Sequence, residues 1–182
     1  MGIRAVLCLL VLCGCGYKAG YGDLPDCYRT IEIPYVDGDK EGSLTSQIIE
    51  KMVSSTTFSY VRSGGDLLLC VKILDYQHDN IGFRYDIDKQ DQLTDSIIPT
   101  ETRMTVLTEV RVIDAGRGCV VLGPARISAS VDFDHDYYGP RGDINSKSLG
   151  QLSDIDVAYD SATLPLNRNL AEKIVDYVIH SW

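Results

Sequence analysis

The stretch TRMTVLTEVRVI, residues 102–113, decides the fold because its side chains alternate between apolar and polar. The apolar set is Met104, Val106, Val110 and Val112. The polar set is Arg103, Thr105, Glu109 and Arg111. Successive side chains of a β-strand point to opposite faces of a sheet. The alternation therefore predicts a strand with one face on a hydrophobic core and the other in polar surroundings.

Three further stretches predict strands on the same grounds. Residues 30–36, TIEIPYV, form the first, and Pro34 confines it to an edge or a bulge. The run LLLCVKIL, residues 67–74, is apolar on both alternate sets except at Lys72, which predicts a central strand. In the last stretch, Gly123-Pro124 indicates a bulge or bend before a regular alternation. The apolar residues of that alternation are Ile127, Ala129, Val131 and Phe133.

Two amphipathic helices are predicted. Ser43 is a candidate cap for the first, and the hydroxyl-rich residues 54–57 should fray its end. The apolar face of this helix consists of Leu44, Ile48, Ile49, Met52 and Val53. Residues 134–166 are expected to be irregular. The second helix begins after a cap at Asn167 or Asn169, and its apolar residues recur at spacing four. They are Leu170, Ile174, Val178 and Trp182.

These elements predict an α+β fold with two helices packed on one face of a mixed, roughly four-stranded sheet. At the start of the chain, a helix connects the first two predicted strands; if these strands are parallel, the connection must be right-handed. The later strands form antiparallel hairpins. Residues 30–182 are long enough for a single domain. The second face of the sheet, which carries Lys72, Arg103, Arg111 and Arg126, should stay hydrated or meet a partner.

The N-terminus, MGIRAVLCLLVLCGCGYKAG, has the layout of a secretory signal. Arg4 precedes an apolar run over residues 5–12, which is shorter than the roughly 20 residues of a membrane-spanning helix. Leu12-Cys13-Gly14-Cys15 resembles the lipobox of bacterial lipoproteins, which implies cleavage after Gly14 and lipidation of Cys15. Residues 1–14 are then a signal peptide and residues 15–29 a tether. An ordinary signal peptide with incidental cysteines is the alternative.

Charge and cysteine spacing exclude several classes of function. The chain has 17 Lys and Arg against 26 Asp and Glu, a formal net charge of −9, which argues against a nucleic-acid partner. Cys27, Cys70 and Cys119 form no CxxC or CxH pattern, so a zinc site is not expected. One disulfide is compatible with an oxidising compartment, and a buried free thiol at Cys70 is an equal alternative.

The remaining motifs do not predict chemistry. Asp132, Asp134 and Asp136 alternate on a strand end, but the Gly and Glu positions of an EF-hand loop are missing, so we predict no metal site. Arg141-Gly142-Asp143 matches the tripeptide that integrins bind, and such short matches arise by chance. No motif supplies a catalytic partner to a histidine, so we expect no cofactor and no enzyme. A noncontiguous hydrolase site would involve His78, His135 or His180.

Together these features resemble the LptE family, the lipopolysaccharide-assembly lipoproteins of Gram-negative outer membranes. The resemblance rests on Cys15-Gly16-Tyr17, GSLTSQIIEKM, LLLCVKI, TRMTVLTEVRVI and LAEKIVDYVI, in that order. It implies an acylated Cys15 and an outer-membrane protein on the periplasmic side or within a barrel lumen. It also implies a plug and assembly partner of the β-barrel LptD, which together insert lipopolysaccharide into the outer leaflet. The residue after the lipidated cysteine is Gly16 and not Asp, which by resemblance to bacterial lipoproteins favours export to the outer membrane.

Two features qualify the resemblance. Residues 84–100 form a longer and more acidic connection than the family implies. The acidic net charge limits any grip on lipid A phosphates to a local cluster, for which Lys72, Arg103, Arg111 and Arg126 are the candidates. The alternative for these side chains is a solvated or barrel-facing surface. The alternative function is a periplasmic or surface-exposed ligand-binding lipoprotein without a barrel partner.

Overall fold

The computed structural model describes residues 28–87, 90, 92–135 and 155–182. The helices are α1 (Ser43–Ser55) and α2 (Ile155–His180). The strands are β1 (Thr30–Glu32), β2 (Ser59–Val61), β3 (Leu67–Ile87), β4 (Leu93–Asp114) and β5 (Cys119–Asp134). The predicted signal peptide, Cys15, Cys27, Asp136 and the Arg141-Gly142-Asp143 tripeptide lie outside the described residues. Neither described helix has the length and apolar character needed to span a membrane.

The five strands form one mixed sheet in the order β2-β1-β3-β4-β5. β1 runs parallel to β2 and β3, and the β3–β4 and β4–β5 pairs are antiparallel. The predicted α+β class is confirmed, with five strands in place of roughly four. The additional strand, β2, follows directly on the stretch where the sequence predicted a fraying helix end, and Ile31 pairs with Tyr60 there. β1 ends at Glu32, so Pro34 lies outside the strand.

The core lies between the inner face of the sheet and the two helices. The predicted alternation of β4 is confirmed, because Met104, Val106, Val110 and Val112 are each at most 1% exposed. Thr108 takes the same face, and its Oγ1 donates a hydrogen bond of 2.9 Å to the carbonyl oxygen of Ile127. This bond compensates for the burial of the hydroxyl group. The helices contribute Leu44, Ile48, Met52, Leu166, Leu170, Ile174 and Val178.

The start of α1 differs from the prediction. Gly42, at φ 73°, is the N-cap, and Ser43 makes no capping hydrogen bond. The carboxylate of the buried residue Asp39 accepts hydrogen bonds from the Thr45 amide at 2.8 Å and from Thr45 Oγ1 at 2.7 Å. It thereby satisfies a free amide of the first turn from outside the helix, in place of the cap residue.

The C-terminal helix is longer than predicted. It begins at Ile155, so the expectation of irregular structure was wrong for residues 155–166, as was the expected cap at Asn167 or Asn169. Residues 136–154 lie outside the described residues. Pro165 is exposed inside the helix, and the apolar stripe continues through it because Ala158, Ala162, Leu166 and Leu170 keep spacing four. Asn167 is buried, and its Nδ2 donates to Ser43 Oγ at 3.1 Å, which connects the two helices.

Residues 84–100 are not mainly a connection, because β3 continues to Ile87 and β4 begins at Leu93. β5 stops where Asp134 pairs with Glu101, so β3 and β4 extend beyond it as a pair. We call residues 82–87 and 93–100 the arm. At its base, a Cβ on Gly82 would come within 2.6 Å of the Glu101 Cβ, which requires glycine at this close approach.

Candidate functional site

The outer face of the sheet carries the four basic residues predicted to contact a glycolipid. Lys72, Glu109 and Arg126 lie side by side across β3, β4 and β5. Arg111 lies two residues further along β4. Arg103 lies six residues from Glu109 in the opposite direction, about 20 Å away at the rise of a strand. The fold thus brings three of the four basic residues together around Glu109 and leaves Arg103 apart.

Carboxylates accompany most of these basic side chains. Lys72 Nζ lies 3.4 Å from Asp37 Oδ2, and Arg111 Nε lies 3.6 Å from Glu109 Oε1. The guanidinium of Arg103 donates two hydrogen bonds of 2.7 Å to the carboxylate of Asp132. These bonds lower the pKa of Asp132 below its usual range. The outer face is therefore a mosaic of opposite charges, and Arg103 already has a bidentate partner.

A cavity of about 300 Å³ lies on this face beside the segment that follows β1. Lys72 and Arg111 line it together with Tyr35, Cys70 and Asp37. Its volume is at the lower end of small-ligand sites. Burial raises the pKa of the Cys70 thiol, which faces Arg111 across the β3–β4 pair. Glu109 also lines the cavity, so its two cations, Lys72 and Arg111, each lie beside a carboxylate there, and a small anionic group would have to compete with these carboxylates.

The arm carries an apolar surface that the sequence analysis missed. Phe83, Tyr85, Leu93 and Ile97 are 58%, 57%, 72% and 59% exposed. Phe83 pairs with Pro99 and Tyr85 with Ile97, so Phe83, Tyr85 and Ile97 share one face, and Leu93 pairs with Ile87 nearer the tip. Ile98, on the opposite face, is 9% exposed. The signal in the sequence was the alternation of Phe83 and Tyr85 with polar residues, which the acidic composition of the segment obscured.

A groove of about 920 Å³ lies between the edge of β3 and the first half of α2. Leu74, Tyr76, Tyr159 and Leu164 line its apolar part. Its charged lining is Asp39, Glu41, Asp75, Asp160 and Lys40. Burial raises the pKa of the Tyr76 hydroxyl, and the negative charges of Asp39 and Glu41 raise it further.

The three histidines are not brought to one site. His78 packs edge-on against Tyr159 with ring centroids 5.3 Å apart, near the start of α2. His180 ends the same helix 21 residues later, about 30 Å away at the helical rise. His135 is fully buried; its Nε2 lies 2.8 Å from Thr102 Oγ1, and its Nδ1 has no partner among the described residues. Within the described ranges, no three His, Cys, Asp or Glu side chains converge to hold a metal ion.

The cysteines and the end of the predicted tether also have defined positions. Cys70 is half-buried and Cys119 exposed, and both are free thiols. Tyr28 donates a hydrogen bond of 2.7 Å to Asp114, and the amides of Arg29 and Thr30 each donate one of 2.9 Å to Asp66. The bonds from Arg29 and Thr30 lower the pKa of Asp66, and the bond from Tyr28 lowers the pKa of Asp114. All three attach the chain entering β1 to the sheet.

No family model and no curated protein matches this chain. Among solved structures, lipoprotein B from Nitrosomonas europaea is 11% identical at a TM-score of 0.51, over 90% of each chain. Rare lipoprotein B from Shewanella oneidensis is 12% identical at a TM-score of 0.49, over 82% of this chain and 93% of that one. Minor lipoprotein from Acinetobacter baumannii is 13% identical at 0.48, over 84% and 89%. The chain therefore shares the fold of the Nitrosomonas protein, and identities this low extend no further than the fold.

Proposed function

We propose that this chain is a lipid-anchored outer-membrane protein without enzymatic activity that serves a large β-barrel as plug and assembly partner. In the LptE-type interpretation, that barrel resembles LptD and the pair inserts lipopolysaccharide into the outer leaflet. Cys15 carries the anchor. Two or three acyl chains hold a protein stably at a membrane, and they raise its effective concentration near a membrane partner. The Nitrosomonas neighbour, which shares the fold, is named a lipoprotein, and this supports the anchor.

The arm is the observation that carries this proposal. Large apolar side chains exposed side by side on a projecting hairpin mark an interaction surface in a soluble domain. Phe83, Tyr85 and Ile97 are each more than half exposed on such a hairpin. An apolar projection of this kind indicates that the protein binds another molecule, and the resemblance offers a β-barrel protein as the partner.

The outer sheet face supports a position inside a barrel. The lumen of an outer-membrane barrel is polar, and wide barrels hold a plug. A plug surface must then present hydrogen-bonding and charged groups of both signs. Lys72, Glu109 and Arg126 alternate in sign across the sheet, as do Asp79, Arg103 and Asp132 in a second row.

Within the same proposal, Lys72 and Arg111 contact the phosphate groups of the glycolipid. Both line the 300 Å³ cavity. Their nitrogen atoms lie 3.4 and 3.6 Å from carboxylate oxygens, longer than a hydrogen bond to a charged partner, so a phosphate oxygen could replace the carboxylate as partner. Arg126 extends the cluster from the adjacent strand. Arg103 contributes less, because its two 2.7 Å bonds to Asp132 would first have to break.

A second candidate is a ligand-binding lipoprotein without a barrel partner. The cavity around Lys72 and Arg111 favours it, because a small anionic ligand fits there without any contribution from another protein. In this case the arm would contact a molecule other than a β-barrel.

Affinity purification distinguishes the two candidates. The tagged protein is isolated from detergent-solubilised envelopes, washed at high salt and analysed by mass spectrometry beside a Cys15→Ala control. A large β-barrel in stoichiometric amount supports the first candidate. Recovery of the lipoprotein alone, with the anchor intact, contradicts it and directs attention to ligands of the free domain.

A further inference from the structure

The edge of β3 that faces away from β4 is paired only at its beginning. β1 pairs with Leu67 and Leu68. After β1, the Asp37 amide donates a hydrogen bond of 3.0 Å to the Val71 carbonyl oxygen, and the Ile73 amide donates one of 2.8 Å to the Asp37 carbonyl oxygen. Beyond Ile73, no strand of the described residues pairs with this edge. Alternate residues of a strand direct their N–H and C=O groups to the same edge. Within the part of the chain that the structure describes, the edge groups of residues 74–80, about 23 Å of strand, therefore have no strand partner.

The 920 Å³ groove lies beside the first part of this edge, at Leu74, Asp75 and Tyr76. Leu74, Tyr76 and Leu164 are 39%, 43% and 50% exposed along it. A strand added to β3 would direct every second side chain toward α2 and into the groove. Backbone pairing and side-chain burial are thus available to the same extended segment, which is how peptides add to sheet edges.

The charges of the groove select the occupant. Four carboxylates line it against one lysine, Lys40. Asp39 accepts hydrogen bonds from Thr45, and Asp75 accepts one of 2.9 Å from Gln77 Nε2. Glu41 and Asp160 are exposed at the groove and available to a ligand, and Asp75 adds its negative charge. An acidic strand would be repelled by these groups and by the net charge of −9, whereas a basic strand would be attracted.

We propose that residues 74–80 of β3 bind an extended, Lys- or Arg-bearing segment of a partner protein as an added β-strand, with its side chains in the groove beside α2. This site is separate from the arm and from the cavity at Lys72. It requires no barrel, so it goes beyond the function proposed above and stands or falls independently of it.

The test uses the full chain, isolated from expressing cells in mild detergent, and a fluorescein-labelled octapeptide of alternating lysine and valine as the probe. The matched peptide alternates glutamate and valine. We expect the basic peptide to bind at least tenfold more tightly in fluorescence anisotropy. Two further basic peptides carry N-methyl groups on one or the other alternate set of amides. Because an added strand uses only one edge, one methylated peptide should lose binding at least tenfold and the other should retain it.

Protein variants separate the groove from general electrostatics. The double variant Asp75→Lys, Asp160→Lys should weaken binding of the basic peptide at least tenfold. Glu50→Lys with Asp176→Lys makes the same change in net charge on exposed helix positions outside the groove and should leave binding unchanged. Circular dichroism and thermal melting verify the fold of both. Equal loss in the two variants, equal binding of both methylated peptides, or no binding at millimolar peptide would overturn the proposal. Self-association abolished by the groove variant alone would also overturn it, because the occupant would then be a second copy.

Discussion

Tyr85 and Ile97 lie directly opposite each other on the arm, and their side chains are 57% and 59% exposed. Cross-strand neighbours of this kind stabilise a hairpin through their mutual contact. Here the pair also presents apolar surface to the surroundings, beyond the last residue of β5. This relationship is the basis for assigning the arm to partner binding.

Polar substitution on the arm should separate binding from folding. Tyr85→Ser together with Ile97→Thr should abolish recovery of the partner, while the free energy of unfolding changes by less than about 1 kcal/mol because both side chains are exposed. Co-purification and urea denaturation measure the two effects. Val53→Ser, which alters a 55% exposed side chain of α1, is the control and should retain the partner. Loss of the partner in this control would show that general surface polarity, and not the arm, is responsible.

Two leucines on either side of Pro165 test the extended α2. Leu166 is fully buried and Leu164 is 50% exposed. Leu166→Ala should lower the free energy of unfolding by about 2–5 kcal/mol, because it leaves a cavity in the core. Leu164→Ala should lower it by less than about 1 kcal/mol. Urea denaturation gives both values, and similar effects for the two variants would contradict the helical structure before Asn167.

Stability at acid pH should depend on Asp66. Hydrogen bonds from the Arg29 and Thr30 amides lower its pKa in the folded protein, so its contribution to stability is complete above the ordinary carboxyl pKa of about 4. The contribution disappears as the pH falls through the lower, folded-state value. Asp66→Asn should therefore destabilise the protein at pH 7 and reduce the further loss of stability between pH 4 and pH 2.

Denaturation of the wild type and of Asp66→Asn across this range measures the effect. Asp176→Asn changes an exposed carboxylate of α2 and serves as the control. If both variants showed the pH dependence of the wild type, the hydrogen bonds to Asp66 would not be a source of acid sensitivity.

The two described thiols should react at different rates. Cys119 is exposed, whereas burial raises the pKa of the half-buried Cys70 and reduces its thiolate fraction. Labelling with N-ethylmaleimide at pH 7.5, followed by site-resolved mass spectrometry, should modify Cys119 first. Urea should equalise the rates. Faster labelling of Cys70 in the folded protein would contradict its environment in the sheet.

Glycolipid binding should depend on Arg111 more than on Arg103. Arg111 lines the cavity, while Arg103 is held by Asp132 at two 2.7 Å distances. Arg111→Ala should weaken binding to lipopolysaccharide severalfold, and Arg103→Ala, with the same change in charge, should have a smaller effect. Binding to immobilised lipopolysaccharide at low salt measures both. A larger loss for Arg103→Ala would contradict the assignment of the cavity.

The sequence predicts those parts of this fold whose period is unbroken. The alternation from Met104 to Val112 and the helical spacing from Leu170 to Val178 appear in the structure as predicted. Each requires only local geometry and burial. The inner set of β5, with Ala129 at its centre, is also as predicted for the same reason.

The sequence could not predict features that depend on interruptions or on register. Bulges at Leu74 and Ile81 shift the phase of β3, so its second half does not continue the pattern of the first. Residues up to 166 were expected to be irregular, although the helix and its buried stripe continue through Pro165. Asp37, beside Lys72, comes from the segment after β1, and Asp132, beside Arg103, comes from β5. Only the pairing register brings these two carboxylates to their partners, whereas Glu109 lies on the same strand as Arg111.

The central claim, that the arm binds a β-barrel, is tested most directly by photocrosslinking in intact envelopes. A benzophenone amino acid is placed at position 85 of the lipidated protein, and a matched control carries it at position 53 of α1. We predict that irradiation at position 85 gives one dominant adduct, identified by mass spectrometry as an outer-membrane β-barrel, and that position 53 gives much less. If position 85 yields no protein adduct, or yields the same products as position 53, the arm is not the barrel-binding surface.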